Sequence, residues 1–187
     1  MIEEVLKSKE YIESVGIIIY PTDTIWGIGC DATNAISVER IFSIKQRSDN
    51  KSMLVLVSGM HMLETYIEEV PKNVQEILES AKKPTTVIYP GAKNLASNLL
   101  GDDGSVGIRI TTDPFCQQLI EQIGKPIVST SANISGSLSP ALFSQIDKKI
   151  LEKVDYVVQW RQKETEPASP SAIIKLSKQG NILILRP

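Results

Sequence analysis

The chain has 187 residues, of which 42% are hydrophobic and 22% charged, and its formal net charge is −2. This is the size and composition of one globular domain, and the acidic balance is not typical of a dedicated nucleic-acid binder, which is usually basic overall. No apolar run approaches the ~20 residues of a membrane span, and the acidic N-terminus does not resemble a signal peptide. Two cysteines and one histidine exclude a disulfide framework and a His-rich metal site. We therefore expect a cytoplasmic, single-domain protein spanning residues 1–187.

The hydrophobic pattern switches repeatedly between helical and strand periods along the chain. Helices are predicted at residues 2–14, 35–45, 58–67, 71–81, 114–123 and 140–152. Strands are predicted at residues 15–20, 53–57, 85–89, 105–110, 126–128, 155–159, 171–176 and 181–185. The polar segment 161–169 is expected to be a surface loop. Because strands and helices alternate, the predicted fold class is α/β, with one twisted sheet and flanking helices.

Several helix ends carry capping residues. Asn34 and Asp113 are predicted N-caps, and Gly124 is a predicted C-cap. Pro71 is expected at the first position of its helix, and Ser139, followed by proline, is expected to open the helix over 140–152.

Two polar loops follow predicted strands and are the first candidates for a binding site. Pro21-Thr-Asp-Thr24 follows the first strand, at the kind of sheet edge where α/β proteins bind ligands. Residues 129–136 follow the strand over 126–128 and offer four hydroxyls, the amide of Asn133 and the backbone of Gly136. Such a loop can wrap a small polar ligand or a phosphate, although Ser/Asn/Gly loops are also ordinary turns.

Cations lie close to these loops in the predicted topology. Lys45, Arg47 and Lys51 connect a helix to the strand over 53–57. Arg109 stands inside an apolar strand, where it either forms an internal salt bridge or offers a fork to a carboxylate or phosphate. No nucleophile and no general base is evident. A site with cations and hydroxyls but neither of these groups favours reactions that depend on substrate positioning and charge neutralisation, such as phosphoryl and nucleotidyl transfer.

Two shorter motifs are weaker. Gly27-Ile-Gly29-Cys-Asp-Ala32 fits the dinucleotide fingerprint, but no helix opens there. Ser48 to Lys51 together with Ser131 to Asn133 mimics penicillin-binding serine enzymes, but the K-T-G element is missing.

Motifs spread over most of the chain resemble the YrdC-like family, TsaC-type threonylcarbamoyl-AMP synthases, in its short single-domain branch. They are Tyr20–Ala32, Lys45-Gln-Arg47 with Lys51, Ser105–Arg109, Lys125–Gly136 and Ile182–Pro187. The resemblance implies a mixed α/β sheet with a concave, positively charged groove. It also implies that L-threonine, bicarbonate and ATP, with Mg2+, give L-threonylcarbamoyladenylate and pyrophosphate. A downstream transferase complex would use that product to modify adenosine 37 of tRNA.

The resemblance also implies residue roles. L-threonine would contact Thr24, Arg109 and Ser131. ATP would contact Arg47, Lys51, Ser105, Asn133, Ser139, Ser171 and Arg186. Lys45 and Arg47 would be catalytic, with Lys45 helping to fix bicarbonate or the developing carbamate, and no side chain would bind a metal.

The chain departs from the family pattern at three places. Residues 81–86 keep only Pro84 and Thr86 of a Trp-Pro-Gly-Pro-x-Thr motif, Leu56 replaces a histidine of longer members, and alanine follows Ser171 where threonine is usual. Two alternatives stay open at this point: a non-catalytic RNA-binding module for ribosome or tRNA maturation, and a carbamoyl-handling enzyme. Direct contact with tRNA or other RNA also stays open.

Overall fold

The fold is described from a computed structural model that covers residues 1–46, 53–177 and 179–187. The helices are Ile2–Glu13 (α1), Ala35–Lys45 (α2), Met60–Tyr66 (α3), Val74–Ser80 (α4), Pro114–Ile123 (α5) and Lys148–Leu151 (α6). The strands are Ile18–Tyr20 (β1), Gly27–Gly29 (β2), Leu54–Val57 (β3), Thr85–Tyr89 (β4), Val106–Ile110 (β5), Ile127–Ser131 (β6), Tyr156–Val157 (β7), Ala172–Leu176 (β8) and Ile182–Arg186 (β9). Within the described ranges, no helix has the length and apolar character needed to cross a membrane.

All nine of these strands join one mixed sheet in the order β7-β1-β2-β6-β3-β5-β4-β8-β9. The pairs β1/β7, β3/β5 and β4/β8 are parallel, and the other neighbours are antiparallel. The prediction of an α/β fold with a twisted mixed sheet and flanking helices is confirmed.

Side chains alternate between the two faces of the sheet, as strand geometry requires. On the first face, strand residues such as Val55 and Ile108 pack in a large core with side chains of α2, α3 and α4. On the second face, Ile18 and Tyr20 pack against α1 and α5 in a smaller core. Each buried aliphatic or aromatic side chain contributes about 1.5–3 kcal/mol. The second face continues beyond the smaller core into the surface that carries the site described below.

Local capping signals were predicted correctly at three helix ends. Asn34 caps α2 by accepting hydrogen bonds from the backbone N–H groups of Ile36 and Ser37. Asp113 caps α5 by accepting from the backbone N–H of Cys116, and Gly124 ends that helix in the left-handed conformation, with φ of 69°.

The prediction was wrong where strand pairing extends into segments that look like loops. Gly27–Gly29 is a strand between β1 and β6, and no strand was predicted there. A glycine is needed here because a Cβ on Gly29 would lie 2.0 Å from the carbonyl oxygen of Val128. The Ser129-Thr-Ser131 stretch also continues β6 rather than opening a loop, since it pairs with β2 and β3 on either side.

Two helix starts were also wrong. Pro71 lies in a turn that precedes α4, with the backbone N–H of Val74 donating to its carbonyl (3.0 Å). Ser139 does not open a helix over 140–152. Instead, a short 3-10 turn forms at 143–145, where the Gln145 side chain accepts from backbone N–H groups, and α6 begins after its own cap, Asp147.

Candidate active site

A cavity of about 240 Å³ lies on the open part of the second sheet face. Its floor consists of residues that point away from the large core on β2 to β6 and β8. Six of the predicted site residues line this cavity: Thr24, Arg109, Ser131, Ser139, Ser171 and Arg186. The tertiary structure therefore collects residues that are as much as 162 positions apart in the sequence.

The floor of the cavity combines small or polar side chains with three apolar ones, Leu54, Ile88 and Ile173. Gly107 and Arg109 of β5 face the cavity, while Val106 and Ile108 face the large core. On β6, Ser129 and Ser131 take the cavity side and Val128 the core side. Strand alternation thus gives one side of these strands to packing and the other to ligand contact.

Arg109 is the central charged group of the cavity. Its side chain is 3% exposed, and its Nη2 lies 2.9 Å from Oδ1 of Asp23, whose side chain is also buried. The same nitrogen donates to Oγ1 of Thr24 at 3.2 Å. The Nε of Arg109 has no hydrogen-bond partner within the described part of the chain. The structure confirms the internal salt bridge of Arg109 with a carboxylate. That its fork also binds a ligand stays a prediction.

The loop after β1 is held in shape by its own hydroxyls. Oγ1 of Thr22 donates to the carbonyl of Ile25 (2.8 Å) and accepts from the backbone N–H of Thr24 (2.9 Å). The two threonine hydroxyls are also 2.9 Å apart, within hydrogen-bond distance. These contacts orient Thr24 toward Arg109.

A second guanidinium reaches the cavity from the edge strand β9. Arg186 donates through Nε to the carbonyl of Ser171 (2.8 Å), and its Nη2 lies 3.4 Å from the Ser171 hydroxyl. That hydroxyl is also 2.9 Å from Oγ1 of Thr86 on β4. Burial and the positive charge of Arg109 both lower the pKa of Arg186. The two guanidinium groups therefore repel each other across the cavity, and an anion bound between them would relieve that repulsion.

Lys45 and Asn133 lie behind the cavity wall rather than among its lining residues. Lys45 is 2% exposed, and its ammonium donates to the carbonyls of Ser131 and of Asn133, the latter at 2.7 Å. The carbonyl of Lys45 in turn accepts from the backbone N–H of Ser135 (2.9 Å). The Asn133 side chain donates to the carbonyls of Ile134 and Ser137. Lys45 thus fixes the chain where it leaves β6.

Ser105, like Asn133, is a predicted ATP contact that does not line the cavity. Its hydroxyl donates to Oδ1 of Asp103 at 2.5 Å, in the turn before β5. The hydrogen bonds from Lys175 and Ser105 lower the pKa of Asp103. The predicted residues Arg47 and Lys51 lie outside the described residues.

The structure adds residues that the sequence analysis did not select. Asp23 pairs with Arg109, Thr86 contacts Ser171, and Ser129 lines the cavity floor. Asp23 and Thr86 stood within motifs already considered. Ser129 would also have been found if the predicted strand over 126–128 had been extended to residue 131, because Ser129 and Ser131 then lie on the same face of the strand.

No group of three or more His, Cys, Asp or Glu side chains in the described ranges is arranged to hold a metal ion. The charged side chains that line the cavity within those ranges are Arg109 and Arg186. The arrangement suits an anion, such as a carboxylate or a phosphate, better than a bare cation.

Residues 10–187 match the model of the Sua5/YciO/YrdC family, whose description is telomere recombination. A curated relative from Psychromonas ingrahamii, named threonylcarbamoyl-AMP synthase, is 35% identical over 144 residues, 75% of this chain and 75% of the relative. A second relative of the same name, from Pseudoalteromonas translucida, is 32% identical over 145 residues, 76% of this chain and 78% of the relative.

The fold is similar to a crystal structure of Sua5 from P. abyssi complexed with L-threonine. The TM-score is 0.84 at 23% identity, and the match covers 98% of this chain and 53% of the other. This chain therefore spans about half the length of that Sua5. At this identity the likeness concerns the fold.

Proposed function

Because the chain belongs to the Sua5/YciO/YrdC family, we propose that it is a threonylcarbamoyl-AMP synthase, a nucleotidyltransferase that uses L-threonine, bicarbonate and ATP. The name of the curated relatives supports the reaction. The observation that carries the proposal is the pair of arginines, Arg109 and Arg186, in one cavity with a floor of hydroxyls. A substrate carboxylate and a polyphosphate are the two anions that such a site must hold together.

The threonine half of the site is assigned to the end of the cavity near Asp23. The Arg109 fork binds the substrate carboxylate, with Asp23 fixing its orientation (2.9 Å). The hydroxyls of Thr24 and Ser131 contact the polar groups of the amino acid.

The nucleotide half is assigned to the end near β8 and β9. Arg186 and Ser171, already hydrogen-bonded to each other, bind phosphate oxygens together with Ser139. The remaining proposed ATP contacts are Arg47, Lys51, Ser105 and Asn133. Mg2+ enters as the metal complex of ATP, hence as part of the substrate.

The proposed reaction has two steps. The threonine amine attacks the carbon of bicarbonate, and loss of water leaves a carbamate on the nitrogen. A carbamate oxygen then attacks the α-phosphorus of ATP, the bond to the β-phosphate bridging oxygen breaks, and pyrophosphate leaves. Arg186 stabilises the charge that develops on the phosphates. Lys45 and Arg47 are the proposed catalytic residues. Lys45 does not line the cavity, so to hold bicarbonate and the carbamate its ammonium must exchange the carbonyl of Ser131 or Asn133 for the substrate.

The product is an activated donor, and transfer of its threonylcarbamoyl group to adenosine 37 of tRNA in the cytoplasm completes the proposal. That transfer belongs to a separate transferase complex.

The test is pyrophosphate release by the purified protein, with ATP, Mg2+, L-threonine and bicarbonate each omitted in turn. We expect release to require all of them and to fall at least about 100-fold in Lys45→Ala and Arg109→Ala, the loss of roughly two charge-assisted hydrogen bonds. Lys7→Ala is the control, because Lys7 only forms an exposed pair with Glu3 on α1. Release that does not need threonine would contradict the proposal, as would salt-dependent RNA binding without any turnover.

A further inference from the structure

The polar segment 161–169 contributes an arginine that contacts the loop carrying Thr24. Nη1 of Arg161 donates to Oδ2 of Asp113 (2.7 Å) and to the backbone carbonyl of Thr22 (3.2 Å). Its Nε donates to Oε1 of Glu164 at 2.5 Å. Arg161 also adopts φ of 68°, a left-handed conformation that costs a non-glycine residue about 1–2 kcal/mol. The surrounding contacts must offset that cost.

Asp113 gives Arg161 a fixed anchor. Its side chain is 6% exposed, and while Oδ2 accepts from Arg161, Oδ1 caps α5 by accepting from the backbone N–H of Cys116 (2.9 Å). Because the carboxylate is committed to the helix end, it cannot follow a moving loop. Arg161 therefore ties the carbonyl of Thr22 to the end of α5.

From Thr22 the contacts continue into the candidate active site. The Thr22 hydroxyl accepts from the backbone N–H of Thr24 and lies 2.9 Å from the Thr24 hydroxyl. That hydroxyl accepts from Arg109 at 3.2 Å, and Asp23 between the two threonines pairs with the same guanidinium. Arg161 and Arg109 thus hold opposite sides of one four-residue loop.

The loop needs this outer support because it has a void behind it. A second cavity, of about 150 Å³, is lined by Thr22, Thr24 and Trp26 on one side and by Arg161 and Glu164 on the other. Thr24 and Trp26 also line the main cavity. They form a wall between two spaces, and its position depends on the hydrogen bonds of Thr22 and Thr24 together with the packing of Trp26 against Phe143.

We propose that Arg161 is a positioning residue for the amino-acid half of the site, acting through Thr22 to fix Thr24 and Asp23 against Arg109. This inference rests on the proposed function. Arg161 does not line the main cavity, so its removal changes substrate affinity through the loop alone. The threonine half depends on that loop and the nucleotide half, built on β8 and β9, does not. Removing Arg161 should therefore change the affinity for threonine and not the affinity for ATP.

The experiment compares steady-state kinetics of Arg161→Ala, Arg161→Lys and the parent protein, varying L-threonine and ATP separately. Arg161→Ala is expected to raise the KM for threonine about tenfold, the effect of roughly one lost charged hydrogen bond. The KM for ATP should stay within about twofold, since the nucleotide half is untouched. In Arg161→Lys the ammonium can take the place of Nη1, which makes both the Asp113 and the Thr22 contact, but it loses the Nε hydrogen bond to Glu164 that orients the side chain, so its KM for threonine should be intermediate. Should Arg161→Ala fail to fold, Arg161→Lys gives the same comparison.

Glu164→Gln is the matched control, because it alters the exposed partner of Arg161 and leaves the contacts with Asp113 and Thr22. Its KM for threonine should not change. An unchanged KM for threonine in Arg161→Ala, or an equal rise in both KM values, overturns the proposal.

Amide hydrogen exchange of the peptide covering residues 21–27 separates this inference from the proposed function. Faster exchange in Arg161→Ala, and not in Glu164→Gln, supports the positioning contact even if the parent protein releases no pyrophosphate. Absence of release refutes the synthase assignment. Equal exchange rates in all three proteins refute the role of Arg161.

Discussion

Replacing Arg109 by lysine tests the central assignment most directly. Lysine keeps a positive charge beside Asp23 and so avoids leaving a buried carboxylate uncompensated, a defect that would cost about 3–5 kcal/mol of stability. What lysine removes is the planar fork that can bind a carboxylate with two parallel hydrogen bonds. The substitution therefore separates recognition of the substrate from stability of the fold.

The magnitude follows from the geometry around Arg109. Nη2 is committed to Asp23 (2.9 Å) and Thr24 (3.2 Å), while Nε has no partner in the described residues. A lysine ammonium that pairs with Asp23 cannot also present a planar pair of donors to a substrate carboxylate. The fork can make two charge-assisted hydrogen bonds in the transition state, each worth about 1.5–3 kcal/mol. The positive charge of lysine keeps part of this stabilisation. We expect kcat/KM for threonine to fall about 100-fold, equivalent to ~2.7 kcal/mol.

Pyrophosphate release at varied threonine and saturating ATP and bicarbonate measures this change. Arg40→Lys is the matched control, because Arg40 also makes several hydrogen bonds, to Asp155 and to the carbonyl of Val15, but away from the cavity, so its replacement should leave kcat/KM for threonine unchanged. A fall of less than about threefold in Arg109→Lys, with normal thermal stability, would show that the fork does not bind the substrate carboxylate.

Two further predictions concern the fold that supports the site. Cys30 and Cys116 are fully buried, and burial raises the pKa of both thiols, that of Cys30 to about 12. Because both thiols are protonated and inaccessible in the folded protein, neither should react with a thiol-disulfide reagent at about pH 8 until denaturant exposes them. Above the pKa of an unfolded thiol, ~8.5, the thiols ionise in the unfolded chain but not in the folded one, so the free energy of unfolding should decline as the pH rises from there. Denaturant titrations at increasing pH measure this decline. Gly29→Ala should destabilise by about 3 kcal/mol or prevent folding, since its Cβ would lie 2.0 Å from the Val128 carbonyl oxygen. Gly107→Ala, whose Cβ would lie no closer than 3.4 Å to its neighbours, should fold normally; equal melting temperatures for the two variants would contradict this.

Much of the local structure could be predicted from the sequence because its causes are local. Asn34 and Asp113 cap helices through backbone groups two or three residues away, and Gly124 supplies a left-handed conformation at its own position. The strand over Thr85–Tyr89 was predicted at its observed ends. Thr24 and Arg109 were also selected as candidate site residues, because each stands in a short motif that can be read from adjacent residues.

Errors occurred where a partner far along the chain decides the outcome. Ser129 to Ser131 are polar and turn-like by propensity, yet β2 and β3 complete their backbone hydrogen bonds on both sides and make them strand. The helix expected after Ser139 was not formed, because the Gln145 side chain and the Asp147 cap provide closer alternatives.

The sequence by itself determined the alternation of helices and strands, most of the caps and the inventory of cations and hydroxyls, since each depends on a few adjacent residues. The tertiary structure alone decided that Arg186 and Thr86 meet at Ser171, and that Arg161 bridges Asp113 and Thr22. Those contacts join segments 15 to 139 residues apart. Their formation depends on strand register and on which face of the sheet each side chain takes, and no local propensity specifies either.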